Sequence, residues 1–438
     1  MNRTERFDHP TRRQRLAVVG SGISGLASAW LLSDDFDVTL FEAGSCLGGH
    51  TNTVDLTLEG RTHPVDTGFL VYNDRTYPNL VALFTLLGVD SVPTEMSFSV
   101  SLQNPELEWA GSNLATVFGQ KRNLLRPQFW AMLADILRFH RESQAWLAAP
   151  ADDGRSLRQF LSENRYSEAF SNWYLLPMAA AIWSCPTGQM LDMPLSTFLR
   201  FCGNHGLLQI FDRPQWRTVQ GGGREYVRRI AERLRDVRLA CPVQCIEREA
   251  CGLHVRHAGG SESFDQVVLA CHSDQALAIA GGAVSAGQRE VLAAIRYQPN
   301  RAVLHTDRVL LPRDEKLWSA WNYIAGSGEI GEQPVGVSYL INRLQPLPFA
   351  TPVIVTLNPA RAPDPAKVVS WFDYDHPIFD GAAIAAQQRL ASVQGEHGLW
   401  LAGAWGRYGF HEDGLRSALL VANRLGVFAP WQGGECAA

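Results

Sequence analysis

The pattern of apolar and polar positions opens with a continuous apolar run, Leu16-Ala17-Val18-Val19, as expected of a strand covered on both faces. Gly20-Ser21-Gly22-Ile23-Ser24-Gly25 follows, then an apolar, small-residue helix through Leu32 and a second short strand from Val38 to Phe41. Alternation predicts a strand over Thr51 to Leu58 and a partner over Thr62 to Val71, ahead of a helix from Tyr77 to Leu87. From about Val92 the character changes. Leu124 to Leu147 is long and amphipathic, with Phe129, Trp130, Leu133, Ile136 and Leu137 assigned to one side, and Phe170 to Trp183 is dense in aromatic and apolar residues. A helix over Arg224 to Leu234, a strand over Leu239 to Ile246 and a buried strand over Asp265 to Ala270 come next. Runs at Ala302 to Thr306, Gly336 to Leu340 and Val353 to Leu357 predict a further sheet. A strand over Gly398 to Gly403 and a helix from Glu412 to Leu425 end the pattern.

The stretch from Leu16 to Glu42 has the order strand, glycine turn, helix, strand, acid, which is the order of a dinucleotide site. Gly20 permits the tight turn out of the strand. Gly22 lets a pyrophosphate approach the backbone, and Gly25 and Ala29 let the helix lie close on the sheet. Ser21, Ile23 and Ser24 sit where the helix N-terminus offers N–H groups and the positive end of its dipole to phosphates. Glu42 can accept hydrogen bonds from ribose hydroxyls. The competing reading, an apolar signal or membrane segment, fails because glycines and serines interrupt the stretch and it is short for a span.

Length and composition narrow the setting. A chain of 438 residues predicts two domains or one elaborated domain, and 46% hydrophobic content suffices for a sizeable core. The net charge of −5 argues against a general nucleic-acid binder. Eight cysteines without regular spacing predict no disulfide framework and fit a reducing cytoplasm. Cys241, Cys245 and Cys251, followed by His254, fall within apparent strands and make no closed tetrahedral pattern, so no metal is expected. Met1 to Gln14 is polar and basic and reads as a disordered leader. The Leu124 to Leu147 helix has two readings, a core helix of a substrate domain or a helix in peripheral contact with a membrane surface.

After Glu42 the chain reads Ala43-Gly44-Ser45-Cys46-Leu47-Gly48-Gly49-His50. A second glycine pair this soon after the acid suggests another close backbone approach to an extended cofactor. The run from Val18 to His50 resembles the N-terminus of the FAD-dependent amine oxidase superfamily, which includes phytoene desaturases and protoporphyrinogen oxidases. That family usually ends the motif in Gly-Gly-Arg; here His50 takes the arginine position. Val219-Gln220-Gly221-Gly222-Gly223 resembles the family's turn back into the nucleotide domain, and the run from Gly403 to Gly414 its last FAD motif.

The resemblance implies FAD as cofactor and an α/β fold. A Rossmann-like FAD-binding domain of the glutathione-reductase type, over residues 15–91, 217–275 and 395–428, interleaves with an α+β substrate domain over 92–216 and 276–394. It further implies that Gly68 lies where the chain returns toward the flavin, and that Val243 meets the adenine through its backbone. Gly403, Asp413 and Gly414 would place a helix N-terminus at the flavin pyrimidine edge. His411 and Glu412 are the proton-handling candidates. Tyr72 and its neighbour Asn73 are candidates for the cofactor-site wall, with Tyr72 a third catalytic candidate, or else mark a turn. Trp183, Trp405, Tyr408 and Phe410 could line an apolar substrate pocket.

The activity expected is hydride removal from a small-molecule substrate that is apolar or amphiphilic, even lipid-like, as in the desaturase branch. Two alternatives stay open: a flavin amine oxidase, and a flavoprotein isomerase of the sugar-nucleotide mutase kind, which would need arginines such as Arg200, Arg213 and Arg217 at a second pyrophosphate. Amine-oxidising relatives often hold a lysine near the flavin, and Lys121, Lys316 and Lys367 are the only lysines here.

Overall fold

The computed structural model describes residues 12–148, 154–183, 187–204, 214–250, 252–325 and 336–432. Most of the expected leader lies outside the described residues, as do Arg213 and Cys251. Five parallel strands form one sheet, in the spatial order Asp236–Arg238, Asp37–Phe41, Arg15–Val19, Gln266–Leu269 and Leu399–Leu401. The opening apolar run is central and covered on both faces. Leu16 and Val18 pack into one core with Leu26 of the Ile23–Leu32 helix and Leu415 of the His411–Arg424 helix. Ala17 and Val19 pack into another with Ile246, Val255 and Phe264 of a three-stranded antiparallel sheet. A continuous apolar strand is the sequence signature of such two-sided cover.

A second, seven-stranded sheet runs Val368–Asp373, Arg301–His305, Ile354–Leu357, Gly336–Leu340, Trp321–Ala325, Phe98–Leu102 and Leu107–Ala110. Its neighbours are antiparallel except where Trp321–Ala325 lies parallel to Phe98–Leu102. Against one end of it packs a helical cluster that includes Pro127–Ala148, Leu176–Trp183 and Leu195–Asn204. Among the described residues no helix is long and apolar enough to cross a membrane.

Three expected elements differ. The partner of Thr53–Leu58 is Arg61–Asp66, ending well before Val71. The chain leaves the ladder because Phe69 N–H donates to the His50 carbonyl, so close to Gly68 that a Cβ there would stand 2.0 Å from the oxygen. The strand expected from Leu239 starts at Val243, because Ala240 and Cys241 turn to donate their N–H groups to the Gly44 and Glu42 carbonyls. On the Pro127–Ala148 helix, Phe129, Met132 and Phe139 are fully buried, whereas Trp130 and Leu137 are 50% and 60% exposed. At about 100° per residue, Phe129, Leu133 and Ile136 share a stripe that Trp130 and Leu137 do not.

One buried carboxylate ties the two halves of the glycine machinery together. Asp66 accepts from Gly223 N–H at 2.9 Å, Thr53 Oγ1 at 2.5 Å and Gln345 Nε2 at 2.7 Å, and its own N–H donates to Gln345 Oε1. The Gly221-Gly222-Gly223 turn is thereby pinned to the Thr53–Leu58 hairpin. Burial raises the Asp66 carboxyl from 3.8 to about 6 against these hydrogen bonds. Between those values the folded state holds a proton that the unfolded chain has released, so Asp66 makes stability fall as pH rises through that window. Asp66→Asn should remove this component, worth about 3 kcal/mol at most. Urea unfolding across the window checks it: the wild-type-minus-variant difference should change with pH, not stay constant.

Candidate FAD and substrate site

The Ile23–Leu32 helix lies so close to the first strand that a Cβ on Gly25 would sit 1.8 Å from the Gly20 carbonyl oxygen. This contact aims the helix N-terminus outward, and no side chain caps it. Free N–H groups at an uncapped terminus need partners from elsewhere. A Cβ on Gly22 would meet nothing within 4 Å. Gly20, Ser21, Gly22, Ile23 and Ser24 all line a cavity of about 1200 Å³, larger than the roughly 300–1,000 Å³ usual for one small-molecule pocket. An open approach to Gly22, free amide donors and room for more than one small molecule fit an extended dinucleotide together with a substrate.

Glu42 and Ala43 line the same cavity. The Glu42 carboxylate accepts from Ser21 N–H at 2.9 Å, Ser21 Oγ at 2.5 Å and Gly44 N–H at 2.7 Å. A carboxylate has about four acceptor positions, so one remains for a ribose hydroxyl. The second glycine pair also lines the cavity, but its close approach is to the first turn: a Cβ on Gly49 would stand 3.1 Å from Gly22 Cα, and Gly48 N–H donates to the Ser21 carbonyl. Gly68, Val243 and Gly403 are on the wall as well. Gly25, Asp413 and Gly414 are not, and act from beneath. A Cβ on Gly414 would meet Ile23 Cγ2 at 2.6 Å, which seats the second helix N-terminus against the first. Asp413 accepts the Phe410 N–H at 3.1 Å and so braces the start of its own helix, with its carboxyl raised by burial to about 6.

His50 lines the cavity in a cluster that sequence spacing does not reveal. Its ring centroid lies 6.0 Å from that of His272, 5.5 Å from His376 and 5.1 Å from Tyr374. His272 stacks on Tyr297 at 4.4 Å, and His376 Nδ1 meets Asn300 Nδ2 at 3.0 Å. Burial lowers the His50 pKa to about 3, helped by the neighbouring His376, His272 and His411, and lowers that of His376 to about 4. His50 is therefore a neutral imidazole, and its buried Nε2 has no hydrogen-bond partner among the described residues.

Of the catalytic candidates, His411 alone lines the cavity. It stacks on Phe69 with centroids 3.7 Å apart, and its Nε2 meets Thr51 Oγ1 at 2.8 Å. Burial lowers its pKa to about 3, so it too is neutral. Glu412 points the other way. Its carboxylate accepts from the N–H groups of Asn79 at 3.2 Å and Leu80 at 3.0 Å and from Asn79 Nδ2 at 2.6 Å, serving the N-terminus of the Pro78–Leu87 helix. Tyr72 is 3% exposed, packs edge-on against Phe84 and pairs with Arg217 in a small sheet, away from the cavity lining. Asn73 Oδ1 accepts from the N–H groups of Arg75 and Thr76, so this stretch is a turn.

The four expected pocket aromatics, Trp183, Trp405, Tyr408 and Phe410, all line the cavity. Phe201 links three of them, with centroids 4.4 Å from Trp183, 5.8 Å from Tyr408 and 5.0 Å from Phe410. Trp405 stands apart from that group, its Nε1–H donating to the Cys271 carbonyl at 3.3 Å. Tyr174 and Met178 on one helical stretch and Leu133 and Ile136 on another extend the apolar wall. Phe201, His272 and His376 lie on elements whose meeting depends on the tertiary fold, and the local pattern carried no sign of their role.

Two predictions follow the geometry. Glu42→Ala should weaken FAD binding about tenfold, as expected for losing a charged acceptor, and Gly22→Leu should weaken it more by filling the open approach; absorbance of the purified proteins and titration with FAD measure both. A neutral His50 contributes no pH dependence of its own to FAD affinity between about pH 6 and about pH 8. His50→Arg should shift that affinity by a constant factor, leaving the pH slope unchanged; a slope present in the wild type and lost in the variant would show that the imidazole is charged.

Over residues 23–326 the chain matches the family model described as flavin containing amine oxidoreductase, more than half its length. The carotenoid phi-ring synthase of Chlorobaculum tepidum is 29% identical over 133 residues, covering 28% of this chain and 20% of that protein, so the match spans about a fifth of that relative. Among solved structures, a fatty acid isomerase from P. acnes that produces CLA has a TM-score of 0.67 at 15% identity, over 94% of this chain and 99% of that one. Cyclohexylamine oxidase from Brevibacterium oxydans has a TM-score of 0.64 at 18% identity, over 94% and 100%. These two likenesses are of fold, a Rossmann-like FAD-binding domain with a substrate domain. The chain belongs to the flavin containing amine oxidoreductase family and is an FAD-dependent oxidoreductase.

Proposed function

We propose that the enzyme removes hydride from a carbon of an apolar or amphiphilic, lipid-like substrate. What supports this most is the apolar wall of Trp183, Phe201, Met178, Leu133 and Ile136, continuous with the glycine turn that would receive the dinucleotide. Bound FAD supplies the two-electron acceptor. The residues of the chain supply the rest. Gly20 to Ser24 and Glu42 hold the adenine dinucleotide, and the aromatic group around Phe201 orients the substrate and excludes water. Loss of hydride leaves an electron-deficient carbon, so a proton must leave the neighbouring carbon as the double bond forms; neutral His411 and His50, both on the cavity wall, are the bases the chain offers for it. With Glu412 and Tyr72 facing elsewhere, they have no part in the reaction proposed.

The amine-oxidase alternative has less support. No lysine lines the cavity, and Lys367 is engaged with Asp307 at 3.1 Å. The mutase alternative needs a cationic site, and no arginine among the described residues lines the cavity. Anaerobic mixing with detergent-dispersed fatty acyl or isoprenoid lipids should bleach the flavin absorbance, and simple primary amines should not. Glu412→Gln and Tyr72→Phe should change the bleaching rate by less than about threefold, since neither touches the cavity. Rapid bleaching by primary amines, with lipids inert, would overturn the substrate class.

A further inference from the structure

Five of the eleven large hydrophobic side chains exposed among the described residues fall within one short stretch: Leu114, Leu124, Leu125, Trp130 and Leu137. Leu125 is 87% and Leu114 78% exposed, far beyond the grazing exposure of an ordinary surface leucine. Trp130 lies across Phe118 with centroids 5.3 Å apart, and its Nε1–H donates to the Leu124 carbonyl, so this part of the patch is held rigid while exposed. On the Pro127–Ala148 helix, Trp130, Ala134, Leu137 and Arg141 recur at spacings of three and four residues, and all are exposed. The solvent stripe of this helix is thus apolar where a surface helix is ordinarily polar.

The charge on this stretch is predominantly positive. Lys121, Arg122, Arg126, Arg138 and Arg141 face a single acid, Asp135, in a chain whose net charge is −5. Asp135 is turned inward, paired with Arg138 at 3.0 Å and accepting the Ser167 N–H at 2.8 Å. Nearby Glu106 is occupied by Arg122 and Arg313. With Arg122 paired to Glu106, the outward charge is that of Lys121 and Arg141. Exposed leucines and a tryptophan flanked by outward cations are complementary to an anionic bilayer surface.

The same elements line the cavity from within. Leu133 and Ile136 do so on the inner face of the helix, and Val117 just beyond Leu114. Gly111 and Ser112 are both exposed and on the cavity wall, so the cavity reaches the surface beside Leu114. We propose that residues 114–141 form a docking surface for an anionic lipid bilayer, which brings the cavity mouth at Gly111 and Ser112 against the membrane. The leucines and Trp130 enter the headgroup boundary, and the cations meet the phosphates. The proposal rests on the lipid-like substrate for what the surface delivers, but not for the docking itself.

The test is flotation of the full-length, FAD-loaded protein with vesicles of pure phosphatidylglycerol or pure phosphatidylcholine. The wild type should float with phosphatidylglycerol, less so in high salt, and only weakly with phosphatidylcholine. Leu114→Gln/Leu125→Gln/Leu137→Gln should lower the partition by about tenfold or more with unchanged flavin absorbance, because these side chains lie mostly in solvent. Lys121→Gln/Arg141→Gln should lower it and reduce its salt dependence. Equal partition of the wild type and the leucine variant, or no flotation of the wild type, would overturn the docking surface. So would a lipid-free wild type that is dimeric where the leucine variant is monomeric, since a second copy would then be the occupant. Flotation that persists when lipids fail to bleach the flavin refutes the substrate class and leaves the docking; bleaching without flotation does the reverse.

Discussion

The structure depends on the contact between the Gly20 carbonyl and Gly25. With any larger residue at position 25 a side-chain carbon would need the space of that oxygen. The contact brings the first helix down onto the sheet and leaves its N-terminal N–H groups facing the cavity. Neighbouring features follow from the same economy of space: Gly49 passes against Gly22, and Gly414 lets the last helix start against Ile23. Two helix N-termini are thereby gathered at one edge of one sheet, where dipoles and unsatisfied donors add. An anionic dinucleotide matches that edge in charge and in hydrogen bonding, and the family assignment is consistent with its chemistry.

Asp66 performs the complementary task from beneath. It is a buried acid that satisfies the backbone of the Gly221 to Gly223 turn, which would otherwise bury an unpaired N–H. The cost is desolvation, visible in its raised pKa. Burial acts with the opposite chemical result on the histidines. His50, His376 and His411 lose their charge, so the histidines bring no cation to the wall near the glycine turn at neutral pH. An arginine in place of His50 would bring a permanent cation to this wall. The replacement therefore alters the electrostatics of the site while leaving its backbone frame intact.

What was legible in the sequence was local. The Leu16 to Glu42 unit could be read because strand, turn, helix and acid are contiguous, and each residue type has one physical reason to be there. Trp183, Tyr408 and Phe410, expected at a pocket from the aromatic character of their stretches, do line the cavity. Phe201, which joins them, was missed because it comes from a helix with no unusual composition. His272 and His376 were missed because they reach His50 only through tertiary packing. Glu412 and Tyr72 show the opposite failure, in which nearness to a motif was read as nearness to its ligand. His411 and Glu412 are consecutive on a helix, so their side chains diverge by about 100°, and only the first faces the cavity.

The same angular arithmetic governs the long helix of residues 127–148. Its apolar residues are too many for one stripe, and the sequence alone set Trp130 and Leu137 beside Phe129. In the fold they belong to a second stripe, one residue around, that is left half or more exposed, with only Phe118 lying against Trp130. A helix with two apolar faces must bury both or leave one to solvent, and burying leucine-sized side chains is worth about 1.5–3 kcal/mol each. One face is buried against the core and the cavity. The other keeps an unspent hydrophobic driving force next to the opening of an apolar cavity. The membrane-surface and core-helix readings of this segment are therefore not exclusive: the inner stripe already serves the core, and the outer stripe is free to serve a bilayer.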